Sequence, residues 1–191
     1  MSDGGNDPVA AADVARAKAL VRGAFAAVPQ PARWALRGSS EGTEPFLVEE
    51  EFGARGDWTT LDAAFLDQAP DGYGSALSFL SDEAFRHYLP AYLLADLDGA
   101  LQRVEPDFHL WHGLTDENAA RPVNPRRYGA RSWADYARFR FSVFTRAEVE
   151  AIVAYLRVKA AQDPELTGPR IAQALARYWL PRLERDAERA P

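Results

Sequence analysis

The 191-residue chain contains no cysteine. That excludes a disulfide framework, thiolate zinc sites and a cysteine nucleophile, and it suits a reducing compartment. No apolar run approaches the roughly 20 residues that span a bilayer. The opening stretch, MSDGGNDPVAAADVARAKAL, lacks a basic segment followed by an apolar one, so the expected location is the cytoplasm. Lysine is scarce: Lys18 and Lys159 stand alone among 22 basic residues. We attribute this to a GC-rich genome, not to selection for the guanidinium fork. There is no Walker A sequence, no H-E-x-x-H motif, no internal repeat and no heptad array, and Gly72-Tyr73-Gly74 lacks the third glycine of a dinucleotide fingerprint. No cofactor is expected.

Apolar material is plentiful. With 47% hydrophobic and 12% aromatic residues, the chain can bury roughly 70% of its unfolded surface in one core without a staple. The periodicity predicts an all-α or mainly α fold: a disordered tail over residues 1–12, then one compact helical domain over residues 13–191. Asp13 is placed to cap a first helix whose Ala17, Leu20, Val21, Ala24, Phe25 and Val28 form one stripe, ended by Pro29 and Pro31. Residues 30–56 read as a loop with room for a short strand, after which Asp57 caps a helix carrying Trp58, Leu61 and Phe65. The densest apolar stretch is residues 75–97, where Phe79, Leu80, Phe85, Tyr88, Leu89, Leu93, Leu94 and Leu97 recur at helical spacing. Ser81 caps it, and Pro90 either kinks it or divides it into a helix pair. A T-x-x-E capping box at Thr145 and Glu148 opens the clearest helix, and Pro181 should bend or break the last one near Arg177. The N-terminal helix and the two C-terminal helices are expected to pack around the central segment.

The net charge of −6 disfavours nonspecific binding to nucleic acid or anionic membranes. Its distribution is uneven. Residues 41–71 hold nine acids against Arg55, and residues 121–146 hold seven arginines against Asp135. The two segments either face each other or form separate solvated surfaces.

Four constellations carry chemistry. Gly38-Ser39-Ser40-Glu41-Gly42 matches the G-x-S-x-G nucleophile elbow, but Thr43-Glu44-Pro45 follows where a strand–turn–helix context is needed, so the reading is a polar loop. His109 and His112, at i and i+3, share a helix face and with His87 form a candidate metal site, while the flanking Phe108, Leu110 and Trp111 favour a structural role. Arg121, Arg126, Arg127, Arg131, Arg138 and Arg140, interleaved with Tyr128, Trp133, Tyr136 and Phe139, have the composition of an anion, RNA or acidic-protein surface. The five tryptophans are read as core.

At FLSDEAFRHYLPAYLLADL, residues 79–97, the chain resembles an uncharacterised bacterial family, a domain of unknown function with an FLS-x-EAF-x-x-YLPAYL core. Flanking elements agree: Ala24-Phe25, Asp57-Trp58, the helix carrying Ala151-Ile152 and Tyr155-Leu156, and Ala174-Leu175 with Tyr178-Trp179. The resemblance covers about residues 15–182. It implies one bacterial domain and no activity, so no catalytic residue follows from it. The expected function is a noncatalytic protein-interaction module, immunity-like in its acidity. The alternatives are a metal-dependent enzyme using His87, His109 and His112, and RNA or anion binding by residues 121–146.

Overall fold

The computed structural model describes residues 8–68 and 76–188. Helix α1 spans Pro8–Phe25 and so takes in residues 8–12, with Asp13 inside it and not at its cap; the remainder of the expected tail lies outside the described residues. It buries Ala17, Val21 and Phe25 completely. Among the described residues there is no strand, only isolated bridges between Arg37 and Leu80 and between Pro122 and Ser132.

The stretch read as a loop contains helix α2, Glu44–Gly53, with Pro45, Val48 and Phe52 buried. Pro45 does not prevent this helix. It occupies the first turn, where its missing N–H costs nothing because that donor has no intrahelical partner. Asp57 caps a single 3-10 turn, Trp58–Thr60, and Asp62 starts the short α3, Ala63–Leu66. The helix expected to run from Trp58 to Phe65 is therefore two pieces, each with its own aspartate cap.

Helix α4, Asp82–Leu97, is continuous through Pro90, and Ser81 Oγ accepts from the Ala84 N–H as its cap. There is one helix here instead of a pair. Proline inside a helix costs about 3 kcal/mol. Phe85, Tyr88, Leu89, Tyr92 and Leu93 are each fully buried, and at about 1.5–3 kcal/mol per large apolar side chain their burial outweighs that cost.

Helix α5, Phe108–Trp111, runs into a 3-10 turn, His112–Leu114. Helix α6, Pro125–Tyr128, lies within a second polar loop, residues 115–132, and α7, Trp133–Phe141, follows it. Helix α8, Arg146–Gln162, begins at the expected box, with Thr145 Oγ1 and the Glu148 carboxylate each accepting from the other's backbone N–H. It lies along α1, which also packs on α4. Two polar clusters tie α4 to α8. Arg86 grips Glu148 through three hydrogen bonds of 2.8 to 3.1 Å, and Asp96 accepts from Tyr155 Oη at 2.6 Å and Lys159 Nζ at 3.0 Å.

The C-terminal run is α9, Gly168–Ala174, a π turn, Leu175–Trp179, and α10, Leu180–Glu188. Pro181 does not break it. The π turn widens the helix just ahead of the proline, and the Leu180 N–H reaches back five residues to the Leu175 carbonyl. One core serves all these elements, from Val21 and Phe25 through Tyr88 and Leu93 to Ile152, Ile171 and Trp179. No helix among the described residues is long and apolar enough to cross a membrane.

Candidate functional site

Helix α7 is the base of the site. Ser132 Oγ caps it by accepting from the Asp135 N–H, and Asp135 returns the bond to the Ser132 N–H. Its start is laced to the polar loop: Trp133 N–H donates to Arg121 O at 2.9 Å, Ala134 N–H to Ala119 O at 3.1 Å, and Val123 N–H to Arg131 O at 3.0 Å. Residues 115–132 are thus held as a wall. Against the other side of α7 comes the His112–Leu114 turn. Its approach depends on Gly113, where an added Cβ would lie 2.8 Å from Trp133 O and 3.1 Å from Ala137 Cβ.

Between these elements lies a cleft of about 300 Å³ with His109, His112, Tyr128, Trp133, Tyr136 and Arg140 on its walls. A second chamber of about 470 Å³ adjoins it through Ser78, Tyr128 and Tyr136, edged by Arg37, Glu41, Arg131 and Phe139. One side is a chain of rings. Phe108 and His112 have centroids 4.5 Å apart, His112 and Trp133 5.1 Å, Trp133 and Tyr136 5.9 Å, and Tyr136 and Tyr128 5.3 Å. Stacked and edge-on rings of this kind present both π faces and polar edges to an incoming group.

The imidazoles here are neutral near pH 7. Burial, aided by the positive charge of Arg140 and then by His112, pushes His109 down to about 3. Burial also lowers His112, whose Nδ1 lies 3.3 Å from Asn118 Nδ2. His87 is placed elsewhere. It is fully buried beneath the end of α1, Nδ1 3.2 Å from Val28 O, its ring edge-on to Tyr88. The three-histidine metal set is therefore not assembled, because α4 carries His87 into the core and leaves it away from the cleft. Among the described residues no group of three histidine or carboxylate side chains is arranged to hold a metal.

The arginines divide as well. Arg140, expected on an anion surface, is 7% exposed. Its Nη2 donates to Leu77 O at 2.8 Å, its Nη1 to Tyr136 Oη at 3.0 Å, and the guanidinium lies 4.1 Å from the Phe85 ring centroid. It clamps the 3-10 turn Ala76–Ser78 to α7. Arg121, Arg126 and Arg131 are exposed, Arg131 stacking on Phe139 at 5.3 Å. Arg138 faces a different surface beside Arg182, and the side chain of Arg127 lies outside the described residues. No salt bridge among the described side chains joins residues 41–71 to residues 121–146.

The G-x-S-x-G match has a packing explanation. A Cβ on Gly38 would lie 2.8 Å from Leu80 O, and its N–H donates to Phe79 O at 2.6 Å. Ser40 Oγ accepts from Arg37 Nη1.

The family model for DUF6714, a family of unknown function, matches residues 14–183. The chain belongs to that family. No curated protein and no solved structure is found to match it. For this DUF6714 chain the i, i+3 spacing of His109 and His112 puts both on one wall of the cleft, and Tyr128, Trp133 and Tyr136, read in sequence as part of the arginine-rich surface, line it with them. Ser78, Val123 and Gly113 were not anticipated, since only the fold brings them there. One sequence signal was available and unused, the S-x-x-D box at Ser132 and Asp135 that fixes where α7 begins.

Proposed function

We propose that the chain is a noncatalytic recognition domain whose two-chamber cleft takes an aromatic side chain from an acidic segment of a protein partner. The observation that carries this reading is the continuous wall of five rings, Phe108, His112, Trp133, Tyr136 and Tyr128, with the exposed Arg131 on the edge of the second chamber and the exposed Arg121 and Arg126 on the segment 115–132. Aromatic anchors dominate protein interfaces, and charges at the rim steer the encounter. The polar groups in the cleft are already engaged structurally, Arg140 on backbone carbonyls and His112 beside Asn118, which favours binding over turnover. A bacterial cytosol is the setting we assign, on the cysteine-free, arginine-rich composition.

The test is amide NMR of the whole chain titrated with a short acidic peptide bearing one central tryptophan. Shifts at Gly113, Trp133, Ala137 and Tyr128 are expected, weakened when the peptide tryptophan becomes alanine or its acids become lysine. Shifts confined to other surfaces would overturn the reading. So would a stronger response at the same residues to a single-stranded RNA, which would assign the site to nucleic acid.

A further inference from the structure

A second surface of the molecule complements the cleft. The 3-10 turn Arg33–Ala35 packs on α2 and holds Trp34 out to solvent, 82% exposed. In the first turn of the same helix, Phe46 is 47% and Leu47 41% exposed. A large exposed ring, on a turn packed against a helix that carries further exposed apolar side chains, is the composition of an interface and not of an ordinary surface. Arg33 is exposed beside Trp34, and the charge along α2 is acidic. Arg37 folds back over Phe46, 4.3 Å from the ring centroid, and pairs with Glu49 at 2.5 Å. That leaves Glu41 and Glu50 exposed and without a salt bridge among the described side chains. This patch adjoins the cleft, because Arg37, Gly38, Ser39 and Glu41 form one edge of the second chamber and Arg131 and Phe139 another.

We infer that the partner is a second copy of this chain, with Trp34 of each copy entering the other's aromatic cleft and the acids of α2 meeting its arginines. The inference rests on the reading of the cleft given above and names its occupant. Acidic and basic patches that adjoin on one face are self-complementary under a two-fold rotation, so the contact is made twice and closes. A Trp34 turn far from the cleft would instead generate open chains. The exposed acids Glu41 and Glu50 on one side, and the exposed Arg126 and Arg131 on the other, give the attraction its direction.

Sedimentation equilibrium of the full chain tests this. A dimer is expected, weakened about tenfold or more by Trp34→Ala and weakened again as salt is raised from about 0.05 to about 0.5 M. Because Trp34 is exposed, the variant should fold, which far-UV circular dichroism verifies. Glu41→Lys with Glu50→Lys in one chain, and Arg126→Glu with Arg131→Glu in another, should each be monomeric alone. Mixed together they should associate, since one of the two contacts is then native and the other is restored with its charges exchanged. A chain that stays monomeric at concentrations on the order of 100 μM, or a dimer indifferent to Trp34→Ala and to both charge sets, overturns the inference. If the acidic tryptophan peptide still fills the cleft of a monomeric chain, the recognition reading survives and only the second copy is lost.

Discussion

Removing either side of the Arg86–Glu148 pair should loosen the α4–α8 contact. Glu148 is 1% exposed and holds two structures at once: the bidentate pair with Arg86 and the capping box with Thr145, whose N–H it accepts at 2.8 Å. Breaking one partner of a buried pair costs about 3–5 kcal/mol, and loss of a cap about 1 kcal/mol. The two partners differ in exposure, 28% for the Arg86 side chain and 2% for that of Glu148. When Glu148 is removed, the guanidinium can turn towards water, so Glu148→Ala should cost about 3 kcal/mol, the pair contributing about two and the cap about one. Glu148→Gln keeps an acceptor for the Thr145 N–H and should cost about 2 kcal/mol. Arg86→Ala strands a carboxylate that cannot reach water, and should cost about 3–4 kcal/mol. Urea unfolding at pH 7 measures all three, and the double variant completes the cycle. It should fall short of the summed single losses by about 2 kcal/mol. A strictly additive double variant, or a Glu148→Ala loss below about 0.5 kcal/mol, would refute the claim that the pair and the cap share one carboxylate.

Acid should destabilise the fold through His109 before most carboxylates protonate. Its imidazole is pushed down to about 3 in the folded chain, from an unfolded value of 6.5. The unfolded chain therefore binds a proton that the folded one refuses, and the resulting stability is complete above 6.5 and lost as pH falls towards 3. The slope from one such group is at most about 1.4 kcal/mol per pH unit. Unfolding curves of wild type and His109→Phe between pH 7 and about 4.5 should converge as the pH falls, and parallel curves would contradict this. Gly113→Ala should cost about 1–3 kcal/mol by forcing the histidine turn off α7, seen as a lower thermal midpoint together with amide shifts at Trp133 and Ala137. An unchanged midpoint would show that the 2.8 Å approach is not required.

Two helix starts were legible in the sequence because a cap is a local device, whereas Asp13, the same kind of signal, lies inside α1. Ser81 and the Thr145–Glu148 box act where the residue pattern places them. The prolines were legible only as possibilities. Pro45 opens a helix, Pro90 sits inside one and Pro181 follows a π turn. Which of these a proline does depends on how much apolar surface its neighbours bury, and that is a tertiary quantity. The same limit applies to the site. The spacing of His109 and His112 is local and was read, whereas the meeting of that turn with α7 depends on backbone lacing between residues 119–123 and 131–134. Exposure was hidden too: Trp34 and Trp179 look alike in sequence, yet one is 82% exposed and the other fully buried.

The π turn at Leu175–Trp179 makes the last helix, in effect, an α-helix with one residue too many. The surplus residue offsets the rotation of everything that follows and helps set the direction of Trp179, whose indole N–H reaches Leu110 O at 3.0 Å while its ring lies 4.7 Å from that of Phe141. Leu110 lies between the two cleft histidines, and Phe141 is on the helix that faces them. Deleting a single residue here would let the coil relax to ordinary pitch, swing the indole by about a quarter turn, and release the ledge on which both imidazoles rest. The spacing of the far C-terminal helix is thereby a tuning element for a cleft it does not line.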